Sequence, residues 1–263
     1  MVAAAVRQIS AETKELHLDA AELLSGALEI DSSATDLNLY LDLRNISATD
    51  ELRFQLKFAP HTHANIFYRI EKGNPRIAST FILTEGSRLD FFSHLAGSGA
   101  HMRVNAEIPQ NAEAHFSGLT ETAGKEKAAI EVNVHHTAGK NLTWQKFYSY
   151  AEGESAISFT GRIAVDPGAD GAVAHQLHRG VTLSEGARID AQPFLNIMHD
   201  DVKCTHGSTV GFIDEDALRY LMARGIAPTA AEEILILSSQ KQFYEALPHE
   251  QAAAFFKYKE NTL

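Results

Sequence analysis

The 263-residue sequence contains one cysteine and one tryptophan, and it has fewer basic than acidic residues. A single cysteine excludes an intramolecular disulfide and a metal site made of four cysteines from one chain. It is also more typical of a reducing compartment than of a secreted protein. With 23 Lys and Arg against 34 Asp and Glu, the formal net charge is −11. Nucleic acid is therefore not expected as a partner, because phosphate groups are bound mainly by Lys and Arg.

Long apolar runs are also missing. No stretch is long enough to cross a bilayer, so we expect no membrane insertion. The first residues lack the basic segment and apolar segment of a signal peptide, which leads us to expect a cytoplasmic protein. The sequence has no P-loop, no dinucleotide-binding glycine motif and no nucleophile elbow. No enzymatic motif therefore supports a catalytic function.

The first two hundred residues are dominated by apolar residues that alternate with polar ones. This alternation is seen near residues 37–43, 52–58, 130–134 and 157–165. Since successive side chains of a β-strand point to opposite faces, each run predicts a strand with one buried face. No helical pattern separates the runs, which argues against a doubly wound α/β fold. Strand-like patterning becomes clear by about residue 37.

A short internal repeat favours a solenoid over other all-β folds. The segment LTEGSRLD at 83–90 returns as LSEGARID at 183–190. Each copy consists of an apolar strand end, a glycine turn, a basic residue and the start of another strand. Repeated turns between short strands suit stacked coils, although a sandwich remains open.

Helical signals appear only after Gly211. Asp214 precedes a stripe of apolar residues that ends at Arg224 and Gly225, and this predicts one helix. A capping box from Thr229 to Glu232 predicts a second helix to about Leu247, and a third, weaker segment follows Pro248. We therefore predict a mainly β protein with a β body over 1–211 and a small C-terminal helical domain over 212–263.

Cys204 and His206 are the first candidate functional residues. On a strand, residues two apart share a face, so both side chains could bind one metal. Zinc and iron–sulfur sites usually have four ligands, so the remaining ligands would come from elsewhere in the fold, from a second chain or from sulfide. Spacing alone leaves open an ordinary buried cysteine. A catalytic thiol is not favoured, because no orienting group or oxyanion hole lies nearby.

His61 and His63 are the second candidate. A His-x-His pair on a strand resembles the metal motif of cupins, although the glutamate expected after it is missing. A cupin-like metal-dependent enzyme using these two residues is the alternative function. We interpret the other paired histidines as surface or turn residues, namely His135 with His136 and His175 with His178.

Four C-terminal segments resemble the SufB/SufD family of iron–sulfur cluster assembly proteins, on the SufD side of the family. They are GRIAV at 161–165, LSEGARIDAQPFLNI at 183–197, DDVKCTHGSTVG at 200–211 and DEDALRYLMARGI at 214–226. The resemblance implies a right-handed parallel β-helix with flanking helices. It also implies a scaffold subunit that is not itself an enzyme.

Further expectations follow from this resemblance alone. It implies pairing through the β-helix with a SufB-type paralogue, and docking of the ATPase SufC on the C-terminal helices. His206 would be a cluster ligand at the subunit interface, and Cys204 a supporting or alternative one. The cluster would be transient, with none stably bound by the isolated chain. The SufC-facing surface would include Leu218, Tyr220, Leu221, Arg224, Gly225 and Ile226.

The sequence also departs from the family pattern. Strand patterning near residue 37 leads us to expect a short form without the helical N-terminal domain of the family. GVTLS at 180–184, Asn196 and the tail after Pro228 also differ from the expected residues. A homodimer is therefore an alternative to pairing with a SufB-type subunit. A β-helix carbohydrate-active enzyme is a third possibility, but these enzymes are typically secreted.

Overall fold

A computed structural model describes residues 5–19, 28–44, 46, 51–97 and 99–256 of the chain. Within these residues, strands are followed by helices. The strands are β1 Ala5–Ile9, β2 Glu15–Asp19, β3 Leu28–Ser32, β4 Asp36–Asp42, β5 Glu51–Phe58, β6 His63–Glu71, β7 Arg76–Ile82, β8 Arg88–Ala96, β9 His101–Ile108, β10 Glu113–Thr122, β11 Lys127–His136, β12 Leu142–Ala151, β13 Ala156–Val165, β14 Ala172–Thr182, β15 Arg188–Ile197 and β16 Val202–Phe212. The helices are α1 Glu215–Ala223, α2 Pro228–Glu245 and α3 Glu250–Phe255.

Consecutive strands alternate between two eight-stranded sheets. The odd sheet contains β1, β3 and so on to β15, and the even sheet runs from β2 to β16. Every neighbouring pair of strands within a sheet is parallel. This arrangement is the predicted parallel β-solenoid. It also argues against the cupin alternative, because cupins are jelly rolls of antiparallel strands.

The space between the two sheets, here called the lumen, holds the hydrophobic core. The alternation seen in the sequence sets which side chains enter it. In β5, Leu52, Phe54, Leu56 and Phe58 are buried, while Lys57 between the last two is exposed. The predicted strand faces are thus confirmed for these runs.

The solenoid begins earlier than the sequence patterning suggested. β1 at Ala5–Ile9 already pairs with β3, ahead of residue 37, by which the strand pattern becomes clear in the sequence. The first three strands are only five residues long. A run of five gives too few alternations to be recognised by period alone.

The repeated segments at 83–90 and 183–190 each form a four-residue turn, closed by the Ser87 N–H on the Thr84 carbonyl and by the Ala187 N–H on the Ser184 carbonyl. They lie in different parts of a coil. The first leads into β8 of the even sheet, and the second leads into β15 of the odd sheet. Gly86 has φ +68°, and a Cβ there would lie 2.3 Å from the His61 ring. The repeat therefore marks reuse of a tight turn rather than the period of the solenoid.

The C-terminal helices fold back over the outer face of the even sheet. Aromatic residues of the strands, such as Tyr40, Phe67 and Phe92, form one cluster with Phe243 of α2 and with Phe256. The interior positions of β6 and β8 are consequently buried on both faces. The described helices include none that is long and apolar enough to cross a membrane.

Arg69 of β6 fastens the end of α3 to the sheet. Its guanidinium donates to the Asp42 carboxylate and to the backbone carbonyl of Phe255. The same group lies 4.6 Å over the Phe255 ring. A second link joins α2 to the sheet, where Gln240 donates to the Glu121 carboxylate at 2.8 Å.

The start of α1 agrees with the sequence prediction, whereas the start of α2 does not. The Asp214 carboxylate caps α1 by accepting from the backbone N–H groups of Asp216 and Ala217. The predicted capping box at Thr229 is wrong, because α2 already begins at Pro228 with Ala227 as its uncapped N-cap residue. Proline suits the first helical position, where its missing N–H costs nothing.

Candidate functional site

The C-terminal end of the solenoid exposes two sheet edges. β15 pairs only with β13, and β16 pairs only with β14, so each is the last strand of its sheet in the described part of the chain. Four large apolar side chains of these two strands are exposed. They are Phe194, Ile197, Val210 and Phe212, of which Phe212 is 74% exposed.

Cys204 and His206 both lie on the edge strand β16. In the register of the even sheet, Cys204 lies beside Ala174 and His206 beside Gln176. Cys204 packs against a lumen cluster that includes Ile163 and Ala172, so this parity of β16 faces the lumen. The prediction that the two side chains share a face is therefore confirmed. Lys203 has the opposite parity and is exposed.

The two residues differ in their burial. Cys204 is half-buried, and burial raises the pKa of its thiol, although a backbone hydrogen bond with Ala174 acts in the opposite direction. His206 is exposed at the open edge. Among the residues that the structure describes, no group of three or more His, Cys, Asp or Glu side chains is placed to hold a metal ion. A metal at this pair would therefore need ligands from outside the described residues.

Because burial raises the pKa of the Cys204 thiol, we expect this thiol to react slowly with disulfide reagents. At pH 8, Cys204 of the folded protein should react with Ellman's reagent more slowly than Cys204 of the protein unfolded in urea, because the thiolate is the reactive form. Cys204 is the only cysteine, so the absorbance change reports on this residue alone. A folded rate equal to or above the unfolded rate would contradict the burial of the thiol.

The lumen becomes polar as it approaches β16. One row of inward side chains runs from Phe91 through Phe116 to Gln145 and Gln176, and it ends at His206. Gln176 Nε2 donates to Gln145 Oε1 at 2.6 Å. Sequence reasoning missed this row. The sequence does contain a signal for it, because Gln145 and Gln176 occupy inward positions of strands whose other inward residues are largely apolar.

Two histidines that the sequence analysis assigned to the surface are buried in the same region. His136 and His178 are both 0% exposed, so that interpretation was wrong for them. Each occupies an inward position of its strand, while His135 and His175 point outward and are partly exposed. His136 is hydrogen-bonded to Asn141 and Thr143. His178 stacks on Phe159 with ring centroids 4.8 Å apart.

His61 and His63 do not form a metal pair. His61 is an exposed turn residue with φ 59°. His63 begins β6, and its Nε2 atom lies 2.8 Å from the Asp90 carboxylate. That carboxylate also accepts from Arg88 at 2.8 Å. A guanidinium on the same oxygen atom makes the group unsuitable for a cation, which leaves the cupin-like interpretation without a site.

The predicted docking residues lie in and after α1, which contains no buried residue. Tyr220 is exposed, and the Arg224 guanidinium lies 4.9 Å over its ring. Gly225 has φ +88°, and the backbone N–H of Ile226 donates to the Leu221 carbonyl. Arg224, Gly225 and Ile226 therefore end the helix by a Schellman motif. Leu218 is half-buried beside them.

The fold and this end of the molecule define a class of protein. It is a parallel β-solenoid whose last coil presents exposed apolar side chains, a cysteine–histidine pair and strand edges that no described strand covers.

Comparison with known proteins places the chain in a family. Residues 71–239 match the family described as SUF system FeS cluster assembly, SufBD core domain. Because this match covers more than half of the chain, the chain belongs to the SufBD family, as the resemblance predicted.

Three curated relatives illustrate the extent of the similarity. SufD of Escherichia coli is 27% identical over 241 residues, which is 89% of this chain and 55% of that protein. SufD of Bacillus subtilis is 42% identical over 98 residues, or 37% of this chain and 22% of that protein. A SufBD family protein of Synechocystis is 32% identical over 153 residues, or 56% of this chain and 33% of that protein. The chain thus spans between about a fifth and about half of the length of these relatives.

Proposed function

We propose that this chain is a non-catalytic scaffold subunit of a SUF-type iron–sulfur cluster assembly complex. Its last coil pairs with a SufB-type subunit or with a second copy, and its C-terminal helices dock a SufC-type ATPase. A nascent cluster, the cargo of the complex, forms transiently at the subunit interface. Family membership supports the general role, and the exposed end of the solenoid supports the pairing.

The exposed end is the observation that carries the proposal. Strand edges with free N–H and C=O groups are sites where another chain can add. Exposed aromatic and aliphatic side chains on the same strands supply apolar area for such an interface. Phe194, Val210 and Phe212 therefore mark the surface that a partner would cover.

The incomplete ligand pair supports a cluster at this interface. Thiolate and imidazole are both ligands of iron–sulfur centres, which need more ligands than the described residues place here. A partner strand against β16 would bring its own side chains next to Cys204 and His206. In this arrangement His206 is the exposed ligand, and Cys204 is a supporting or alternative one.

Docking of the ATPase is assigned to α1 because none of its residues is buried. Its apolar stripe includes Leu218 and Leu221, and Tyr220 and Met222 are exposed beside it. An amphipathic helix that offers one apolar face to a groove is a recurrent docking mode. Gly225 and Ile226 shape the helix end rather than supply contact area.

The test measures complex formation by light scattering with a SufB-type subunit and a SufC-type ATPase. Phe212→Glu should abolish pairing while leaving ATPase docking, and Tyr220→Glu should do the reverse. Gln55→Glu, on β5 between β3 and β7, adds the same charge away from both surfaces and should change neither. Failure of the wild-type chain to bind either partner would overturn the proposal.

The cluster itself is tested by iron and sulfide content after reconstitution of the complex. His206→Asn should lower both. His175→Asn, on the outer face of the neighbouring strand, is the matched control and should retain them. Equal content in the two variants would remove His206 from the site.

A further inference from the structure

The row of buried amides behind His206 has a fixed hydrogen-bond direction. The chain of bonds begins at the backbone carbonyl of Arg162, which can only accept. Gln145 Nε2 donates to this carbonyl at 3.5 Å, so Gln145 directs its Oε1 atom toward β14. Gln176 Nε2 donates to that oxygen at 2.6 Å. The direction of the first bond thus sets the orientation of both amides.

The last atom of this chain of hydrogen bonds, Gln176 Oε1, is an acceptor to which no described group donates. Gln176 is 3% exposed, and its Oε1 atom is buried without a hydrogen-bond partner among the described residues. A buried polar atom left unpaired destabilises the fold, so native structures rarely retain one without a reason. The Nε2 end of the amide is committed to β12. Gln176 is on β14, which lies between β12 and β16, so its Oε1 atom is left for a donor on the β16 side.

The amides are also held in place by the opposite sheet. Gly161 of β13 lies against them, and a Cβ at that position would be 1.9 Å from Gln176 Nε2 and 2.9 Å from Gln145 Oε1. The glycine makes room for the two amides and leaves little space for them to turn. Gln176 is consequently a rigid group in register with His206, on the same face of the sheet.

We propose that Gln176 is the positioning residue for His206, accepting a hydrogen bond from one ring N–H of that histidine. This bond would fix the tautomer and the ring orientation, and it would leave the other ring nitrogen as a lone-pair donor at the open edge. Hydrogen bonds from a ligand histidine to a second group commonly serve this purpose in metal centres. The relevance to cluster binding rests on the proposed function, whereas the proposed hydrogen bond itself does not.

The test is nuclear magnetic resonance of the isolated protein labelled with ¹⁵N-histidine, at a pH where His206 is neutral. Long-range ¹H–¹⁵N correlations identify which nitrogen carries the proton, and the His206 signal is assigned by its loss in His206→Asn. In the wild type we expect one dominant tautomer. Gln176→Met, which keeps the length of the side chain but has no acceptor oxygen, should shift the tautomer ratio by about fivefold, the effect of one hydrogen bond.

Two further variants separate positioning from general disturbance of the lumen. Gln176→Glu with a protonated carboxyl retains both a donor for Gln145 Oε1 and an acceptor, and should retain the wild-type tautomer. Thr143→Val removes a buried hydroxyl that contacts His136 and not Gln176, so it should leave His206 unchanged. A wild-type mixture of both tautomers, or an unchanged ratio in Gln176→Met, would overturn the proposal.

The measurement uses no partner and no cluster, so its outcome is distinct from that of the proposed function. A fixed tautomer together with a protein that binds no SUF partner would retain the Gln176 contact and reject the assembly role. The wild-type result alone keeps the inference testable if Gln176→Met does not fold.

Discussion

Phe91→Ala is expected to lower the free energy of unfolding by about 3–5 kcal/mol, the cost of replacing a buried phenylalanine by alanine. Phe91 lies on β8 in the middle of the lumen and is fully buried. Its ring meets those of Tyr68, Phe81 and Phe116 at centroid distances of 5.0, 5.6 and 6.1 Å. These neighbours belong to both sheets and to adjacent coils, so the cavity would weaken several coils together.

Urea unfolding followed by circular dichroism measures this change. Phe194→Ala is the matched control, since it removes the same side chain from the exposed edge strand β15. At that position the ring makes a cation–π contact with the Arg162 guanidinium, which lies 5.3 Å from the ring centroid. The control should cost less than about 1 kcal/mol. Equal losses in the two variants would contradict the placement of Phe91 at the centre of the core.

The strand faces of the solenoid could be predicted because each one depends on neighbouring residues only. Leu52, Phe54 and Leu56 alternate with polar residues, and this alternation alone assigns them to the lumen. The stacking order of the coils is different, because it depends on which strand pairs with which. Here the pairing follows chain order within each sheet, and the family resemblance implied it, whereas the repeat at 83–90 and 183–190 leads into different sheets and does not report it.

Packing of the C-terminal helices could not be predicted from the helices themselves. The available signal was in the strands, since β6 and β8 carry apolar residues on both faces, for example Phe67 beside Ile66 and Phe92 beside Phe91. Strands that are apolar on both faces are usually covered on both. The hydrogen bond from Arg69 of β6 to the Phe255 carbonyl at the end of α3 joins residues that are distant in sequence. No local sequence pattern predicts it.

The candidate site was partly predictable. Spacing placed Cys204 and His206 on one face, and the register confirms this. The amides behind them were missed because their meaning depends on the opposite sheet. Gln145 and Gln176 resemble ordinary polar strand residues until the structure places Gly161 against them. For the same reason His178 was assigned to the surface, because the sequence alone does not distinguish a buried histidine from an exposed one.

The buried His178 should make the protein less stable in mild acid. Burial lowers its pKa to about 4 from the value of 6.5 expected in the unfolded chain. Between these two values the unfolded state binds a proton that the folded state does not, so stability falls as the pH falls from 6.5 toward 4. At about 1.4 kcal/mol per pKa unit, the full effect is about 3 kcal/mol.

Urea unfolding at pH 7.5 and pH 4.5 tests this prediction in wild type and in His178→Gln, which cannot be protonated in this range. The variant should lose less stability than the wild type between the two pH values, by about 2–3 kcal/mol. Part of the acid effect should remain, because burial also lowers the pKa of His136.

Ser149→Ala is the control that separates titration from hydrogen bonding. Ser149 Oγ lies 3.0 Å from His178 Nε2, so this variant loses the hydrogen bond but keeps the buried imidazole. It should be less stable than wild type at both pH values and should keep the wild-type dependence on pH. If His178→Gln shows the same dependence as Ser149→Ala, the acid effect does not come from His178. If only His178→Gln flattens it, the destabilised group is the buried imidazole of His178, at the next inward position after Gln176 on β14. The lumen behind His206 is then a region that excludes charge.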